Sequence, residues 1–173
     1  MPAPTARSSK TLELTAPEKL NDQHELDAFD SGEVTIDQYL QRKARKAQST
    51  KQAVVYVSCL KGTSNVMAYY TLSSGSVARA SVMPKSRQRN SPSVHPVTLL
   101  GRMGVTREAQ GQGFAVDLLQ DAIERALNAS QSIGSSAIIV HPLNDRLSSF
   151  YIKYAGFIPC PDISPITLML PLR

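Results

Sequence analysis

Gln110-Gly111-Gln112-Gly113-Phe114-Ala115 stands between two patterned runs. Val97 to Val105 before it reads as a strand, and Phe114 to Leu127 after it reads as a helix. A strand, a glycine-rich turn and a helix start together make a site for a phosphate-bearing group. Glycine lets the backbone come close to an anion, and a helix N-terminus offers unpaired N–H groups with a favourable dipole. Glycine turns precede many helices, so the hexapeptide alone has low specificity. Its flanks decide its meaning.

Downstream, Leu118, Leu119, Ala122, Ile123, Ala126 and Leu127 give the helix an apolar face. Ser136 to His141 follows as a short buried strand. Asn144 or Asp145 can then cap a helix through Tyr154 that carries Leu147, Phe150 and Tyr151, with Gly156 as its stop. Phe157 to Cys160 and Ile166 to Leu172 read as the last strands. Upstream, Ala53 to Leu60 and Val66 to Leu72 are β-branched strands joined by a hairpin at Lys61 to Asn65. The second continues past Gly75 to Ala80. Residues 81–96 hold Pro84, Pro92 and Pro96 with Lys85, Arg87 and Arg89, and read as a long loop.

Nearer the start, Thr11 to Leu14 is expected as a first strand and Pro17 to Phe29 as a helix, with Leu20, His24 and Phe29 on one side. Asp30-Ser31-Gly32 breaks it, and Thr35 caps a second helix. Ile36, Tyr39, Leu40, Ala44 and Ala47 form the inner face of that helix, and Arg42, Lys43, Arg45 and Lys46 lie on the rest. Residues 1–10 are polar and patternless, hence a flexible tail. Residues 11–173 form a single domain. The order of elements predicts an α/β sheet with mixed pairing rather than a doubly wound parallel one.

The 173 residues are 42% hydrophobic and 19% charged, as in an ordinary soluble globular domain. No apolar run reaches the roughly 18 residues needed to span a membrane, and the start lacks the apolar core of a secretory signal. Cys59 and Cys160 lack metal-site spacing and read as buried free thiols, which fits a reducing cytoplasm. A net charge of +5 suits a polyanionic partner, or simply a solubilising surface.

Three pieces then fall in order. Leu100-Gly101-Arg102-Met103-Gly104-Val105 leads into the glycine turn. Ile138-Ile139-Val140-His141 comes next, then Phe150-Tyr151 with Tyr154, Gly156 and Phe157. This arrangement resembles the GCN5-related N-acetyltransferase family, whose acyl-CoA signature R/Q-x-x-G-x-G/A is met by Gln110, Gly113 and Ala115. The resemblance implies a mixed, mostly antiparallel sheet flanked by helices. That sheet is splayed between the strand ending near Val105 and the strand Ser136–His141. Asp30-Ser31-Gly32 with Ile36-Asp37-Gln38-Tyr39-Leu40, then Ala68-Tyr69-Tyr70-Thr71-Leu72, then Pro165 to Leu170, narrow it further. Together they are similar to the acetyltransferase toxins of bacterial toxin–antitoxin pairs. That likeness implies acetylation of the amino group of aminoacyl-tRNA, acetyl-CoA as co-substrate with no metal, a ribbon-helix-helix antitoxin, and a homodimer. Ala115 and Val116 stand where the family usually has Gly and often Arg, which predicts a weaker hold on the pyrophosphate. Gly104 replaces a more usual Ala and predicts a looser strand.

Acetyl transfer to an amine needs a neutral nucleophile, oxyanion stabilisation and a proton for the leaving thiolate. An α-amino group titrates near roughly 7.7–8.0, and an ester lowers that, so no strong base is obligatory. Backbone N–H groups of Met103, Gly104 and Val105 are candidates to polarise the thioester carbonyl. The turn from Gln110 through Gly111, Gln112, Gly113, Phe114 and Ala115 would hold the pyrophosphate. The resemblance makes Tyr151 the general acid, with Tyr154 as competitor. It places Asn144 and Phe150 beside the cofactor, although Asn144 is equally a helix cap. His141 is expected to be structural, with a general-base role as the other reading. For tRNA the candidates are Arg42, Lys43, Arg45 and Lys46 on the second helix, with Arg79, Lys85, Arg87 and Arg89 near the proline-rich loop. A transferase acting on a protein N-terminus or small amine, and a catalytically silent RNA-binding module, are the alternatives.

Overall fold

A computed structural model describes residues 11–173; the tail expected at residues 1–10 lies outside the described residues. One seven-stranded sheet forms the frame, in the order β1-β2-β3-β4-β5-β7-β6. The strands are β1 (Glu18–Lys19), β2 (Val54–Cys59), β3 (Val66–Ala78), β4 (Val94–Val105), β5 (Ala137–Val140), β6 (Ile158–Pro159) and β7 (Leu168–Pro171). All neighbours run antiparallel except β4 and β5. Those two are parallel because the helix α3 (Phe114–Ser130) carries the chain back between them. They pair only at Thr98↔Ile138 and Leu99↔Ile139. Beyond Leu99, β4 continues to Val105 without β5 beside it, so the sheet splays open as the resemblance implied.

Period-two alternation gives the sheet two apolar faces. Tyr56, Ala68, Tyr70, Leu100 and Ile138 pack under Leu118, Leu119, Ala122 and Ala126 of α3, and Tyr151 of α4 (Asp145–Ala155) joins them. Val55, Val57 and Tyr69 face the other way, against Ile36, Leu40 and Ala44. Those three lie on a continuous helical run made of α1 (Val34–Gln38), a π-helical turn (Tyr39–Lys43) and α2 (Ala44–Ser49). Among the described residues no helix is long and apolar enough to cross a membrane.

The N-terminal segment departs from expectation. Thr11 to Leu14 is not a strand; Leu14 makes an isolated bridge to Leu60, and the edge strand is Glu18–Lys19. Pro17 to Phe29 is not a helix. Its buried residues Leu20, Leu26 and Phe29 do not follow a helical repeat. Asn21 instead nucleates a turn: its side chain accepts from Gln23 N at 2.9 Å, and its N–H donates to His24 Nδ1 at 3.0 Å. Thr35 is not the cap either, because α1 begins at Val34 and Glu33 precedes it. Asp37 turns back to take the Ser31 N–H and hydroxyl. Strand β4 starts at Val94, so Pro96, expected in the loop, lies inside it opposite Ser76. The loop 79–93 is partly ordered by short 3-10 turns at Arg79–Ser81 and Lys85–Gln88.

Candidate active site

The open side of β4 presents backbone groups in an order set by a bulge. Pro96 O accepts from Ser136 N at 2.8 Å, so even-numbered residues at the start of β4 face β5. Farther on, Arg102 N donates to Thr71 Oγ1 at 3.0 Å and Thr106 N to Met67 O at 2.8 Å, so even-numbered residues there face β3. The phase flips where Gly101 and Arg102 stand opposite Thr71 alone, between the pairs Leu72↔Leu100 and Tyr70↔Met103. Met103 and Val105 therefore turn their N–H groups into the splay. Gly104, named with them from sequence, directs its own toward β3. Nor does Gly104 loosen the strand: a Cβ there would lie 2.5 Å from Ile36 Cγ2 and 3.3 Å from the Phe29 ring. The helix packs so close to β4 that only glycine fits.

The turn closes the far end of β4. Gly111 and Gly113 have φ of 79° and 87°, the left-handed region that glycine enters without cost. Gly113 precedes α3 and no side chain caps that helix, so the N–H groups of Phe114 and Ala115 are among those left without an intrahelical partner. Nothing approaches within 4 Å of a Cβ placed at Gly111 or Gly113, so the concave side of the turn has room for an anion. Two glutamines hold it in shape. Gln110 Nε2 donates to Ser31 O and Val105 O, both at 2.8 Å. Gln112 accepts from Leu12 N at 2.8 Å and donates to Glu108 O at 3.2 Å.

Helix α4 flanks the splay. The Asn144 side chain accepts from Leu147 N at 2.9 Å, so it is a helix cap, and Gly156 with φ 75° ends the helix. Tyr151 is only 8% exposed and packs between Phe150 and Phe157, ring centroids 5.3 and 5.5 Å away. Its hydroxyl has no hydrogen-bond partner among the described residues, and burial pushes its pKa up to about 12. Tyr154 lies at the surface with Lys153 over its ring. The two tyrosines, three residues apart in sequence, are thus separated by burial. His141 is exposed rather than buried, and its Nδ1 meets Thr167 Oγ1 at 2.9 Å.

On the side of α1 and α2, the splay opens into a groove of about 610 Å³. Arg42, Lys43 and Lys46 line it from the helical run, Arg102 from the bulge and His141 from the end of β5, and no carboxylate lines it. Sequence reading missed Arg102. Its guanidinium lies over the Tyr39 ring at 4.5 Å, a cation–π pairing that only the fold creates. Several expected phosphate ligands lie elsewhere. Arg45 donates to His24 O at 2.6 Å, and Arg79 to Ser91 O at 2.8 Å. Arg87 donates to Ser136 O at 3.1 Å and Leu172 O at 3.2 Å, which pins the proline-rich loop to the ends of β5 and β7. Lys85 and Arg89 are exposed on that loop, away from the groove. Among the described residues no cluster of His, Cys, Asp or Glu could hold a metal.

This geometry has close parallels. A tRNA-acetylating toxin of Mycobacterium tuberculosis (strain ATCC 25618 / H37Rv) is 38% identical over 92% of this chain and 93% of its own length. The solved structure of AtaT complexed with acetyl-methionyl-tRNAfMet superposes with a TM-score of 0.84 at 31% identity, covering 92% of this chain and 95% of that one. An AtaT mutant toxin bound to the C-terminus of the antitoxin AtaR and acetyl-CoA gives a TM-score of 0.77 at 28% identity, over 91% and 92% of the two chains. No family model matches. A splayed acyltransferase sheet, an open glycine turn, a buried tyrosine and kinship over nearly the whole length agree: this chain belongs to the family of tRNA-acetylating toxins, acetyltransferases of the GCN5-related N-acetyltransferase type.

Proposed function

We propose that this protein transfers the acetyl group of acetyl-CoA to the α-amino group of an aminoacyl-tRNA, and so blocks translation until a cognate antitoxin neutralises it. The observation that carries the reading is the bulged end of β4: it turns the Met103 and Val105 N–H groups into a splay that opens onto a carboxylate-free cationic groove. The residues fit acetyl-CoA. The first-turn N–H groups of α3, with Gly111, Gln112, Gly113, Phe114 and Ala115 around them, take the pyrophosphate. Gln110 acts indirectly, by bracing the turn against Val105. Val105 N–H and Phe150 guide the pantetheine arm.

Bound acetyl-CoA supplies the activated acyl group. The Met103 N–H donates to the carbonyl oxygen, where negative charge grows as the amine attacks. Tyr151 gives its proton to the sulfur as the carbon–sulfur bond breaks, and the attacking nitrogen, which sheds a proton on becoming an amide, returns one to the tyrosine. A thiol titrates near about 8.5, far below the tyrosine, so the transfer is driven by the acidic proton that the nitrogen gives up in the same collapse. The cations around the groove disfavour an ammonium, which helps keep the incoming amine neutral. Arg42, Lys43, Lys46 and Arg102 hold the phosphates of the acceptor end, and Lys85 and Arg89 reach more distant phosphates. A polyamine acceptor would want the opposite charge. Residues 11–173 form one acetyltransferase domain that works in the cytoplasm as a homodimer. Its antitoxin is of the ribbon-helix-helix kind and competes with tRNA for the cationic groove.

The deciding experiment incubates the protein with total aminoacyl-tRNA and labelled acetyl-CoA, followed by mass spectrometry of the released amino acids. N-acetylated amino acids are expected. Label that stays on acetyl-CoA, or appears only on added peptides or polyamines, would reject the reading.

A further inference from the structure

The phase flip in β4 raises the question of what holds it. Thr71 is buried at 4% exposure, at the point where β3 has one residue and β4 has two. Had the alternation set at Pro96 continued, the Arg102 N–H would face away from β3. Here it bonds to the Thr71 side chain, Oγ1, at 3.0 Å. A Cβ at Gly101 would sit 2.9 Å from that same oxygen, so the hydroxyl occupies space that only a glycine leaves open. Thr71 and Gly101 thus make one device. Without it, the alternation set at Pro96 would continue, and Met103 and Val105 would turn their N–H groups toward β3.

We propose that the Thr71 hydroxyl is a positioning residue for acetyl transfer, holding the bulge at Gly101-Arg102 and thereby aiming the Met103 N–H at the thioester carbonyl. It acts through the backbone, by its bond to the Arg102 N–H at the wall of the groove. The same bulge carries Arg102 over Tyr39 at the groove wall, so one hydroxyl registers both the carbonyl donor and a cation on the acceptor side. The inference rests on the proposed role of Met103.

The test follows the carbonyl directly. Acetyl-CoA labelled with carbon-13 at the thioester carbonyl is bound to the full chain and to Thr71→Val and Thr71→Ser. Its infrared band is compared with that in water, alongside steady-state acetylation and acetyl-CoA titration. The wild type should shift the band to lower frequency. Thr71→Val should lose most of that shift and about tenfold in kcat, with acetyl-CoA affinity held within about twofold, since a misaimed donor loses part of what a deleted one does. Thr71→Ser, which keeps the hydroxyl, should restore both. An unchanged shift and kcat in Thr71→Val would overturn the proposal. So would a Thr71→Ser as impaired as the valine variant, or a loss of acetyl-CoA binding that matches the loss of kcat. Absence of a shift in the wild type would instead reject the role of Met103 itself.

Discussion

Gln110 donates from Nε2 to the carbonyl oxygen of Val105 at 2.8 Å, so the first residue of the glycine turn grips the last residue of the strand that lines the splay. The same nitrogen reaches Ser31 O at 2.8 Å, ahead of the first helix. Turn, strand and helix entrance are thereby braced at one point. Gln110→Ala should weaken acetyl-CoA binding about threefold to tenfold, in line with about 1 kcal/mol for an exposed neutral bond pair. Gln110→Glu should do at least as badly, because it sets an acceptor against two carbonyls. Calorimetric titration with acetyl-CoA reads both, and wild-type affinity in either would refute this bracing role.

Tyr151→Phe removes a hydroxyl that has no partner among the described residues, so its folding stability should stay within about 0.5 kcal/mol of wild type. Acetylation should still fall by about 10²–10⁴, the usual contribution of a positioned general acid. With its pKa pushed up to about 12, Tyr151 stays protonated throughout the assay range. The pH–rate profile should therefore rise as the acceptor amine loses its proton, with no alkaline limb from this tyrosine below pH ~10. Melting curves and rates on charged tRNA check both halves.

Burial also raises the pKa values of Tyr39, Tyr69 and Tyr70, and Asp121 raises Tyr70 further by accepting its hydroxyl proton in a hydrogen bond. An unfolded tyrosine ionises near ~10, before its folded counterpart does. Above that pH the unfolded chain binds fewer protons than the folded one, so the stability curve slopes downward. Stability carried by these tyrosines is complete below pH ~10 and is lost as pH rises through the raised folded values. Denaturant midpoints measured from pH 8 to 11 should fall at the alkaline end, with the tyrosinate absorbance appearing together with unfolding. An early, unfolding-independent tyrosinate signal from all six tyrosines would contradict this.

Gly104→Ala should destabilise the fold by about 1–3 kcal/mol through overpacking against Ile36 and Phe29. Ile36→Ala in the same chain removes the methyl that the new Cβ meets, so the double variant should lose less than the sum of the singles. Strict additivity in denaturant unfolding would show that Ile36 does not limit that position.

The groove cations and the loop arginine should separate cleanly. Arg42→Glu with Lys46→Glu should raise the KM for aminoacyl-tRNA and flatten the dependence of binding on salt, by roughly one counterion for each phosphate-binding side chain removed. Arg87→Ala should instead lower the melting temperature, because Ser136 O and Leu172 O lose their donor, and should leave the salt slope close to wild type. Filter binding across a salt series, paired with thermal unfolding, tests the distinction.

Local chemistry wrote most of the frame legibly. The β-branched runs of β2, β3 and β5, the apolar repeat of α3, and Gly156 closing α4 are short-range signals, and each element formed near its expected bounds. The segment Pro17 to Phe29 reads falsely as a helix because three apolar residues there are held by the sheet and the first helix rather than by a repeat of their own. Pro96 reads as loop because a proline cannot donate to a ladder, yet it sits in β4 offering its carbonyl to Ser136. The basic residues of the second helix were legible as charge, but not as pointing. Arg45 turns back to the His24 carbonyl while Arg42, Lys43 and Lys46 face the groove.

By itself the sequence determined the open glycine turn ahead of α3, because glycine conformation, helix start and the R/Q-x-x-G-x-G/A spacing are properties of adjacent residues. Through Phe150-Tyr151 and Gly156-Phe157 it also identified which tyrosine to examine. Only the tertiary structure decided which backbone groups face the splay, which tyrosine is buried, and that Arg102 joins Tyr39 at the groove. Each of these depends on residues arriving from a distant part of the chain: Thr71 against Gly101-Arg102, Leu118 and Ile138 in the core around Tyr151, and Tyr39 under Arg102. A hydrogen-bond phase or a burial is a relation between segments, and no local pattern encodes it.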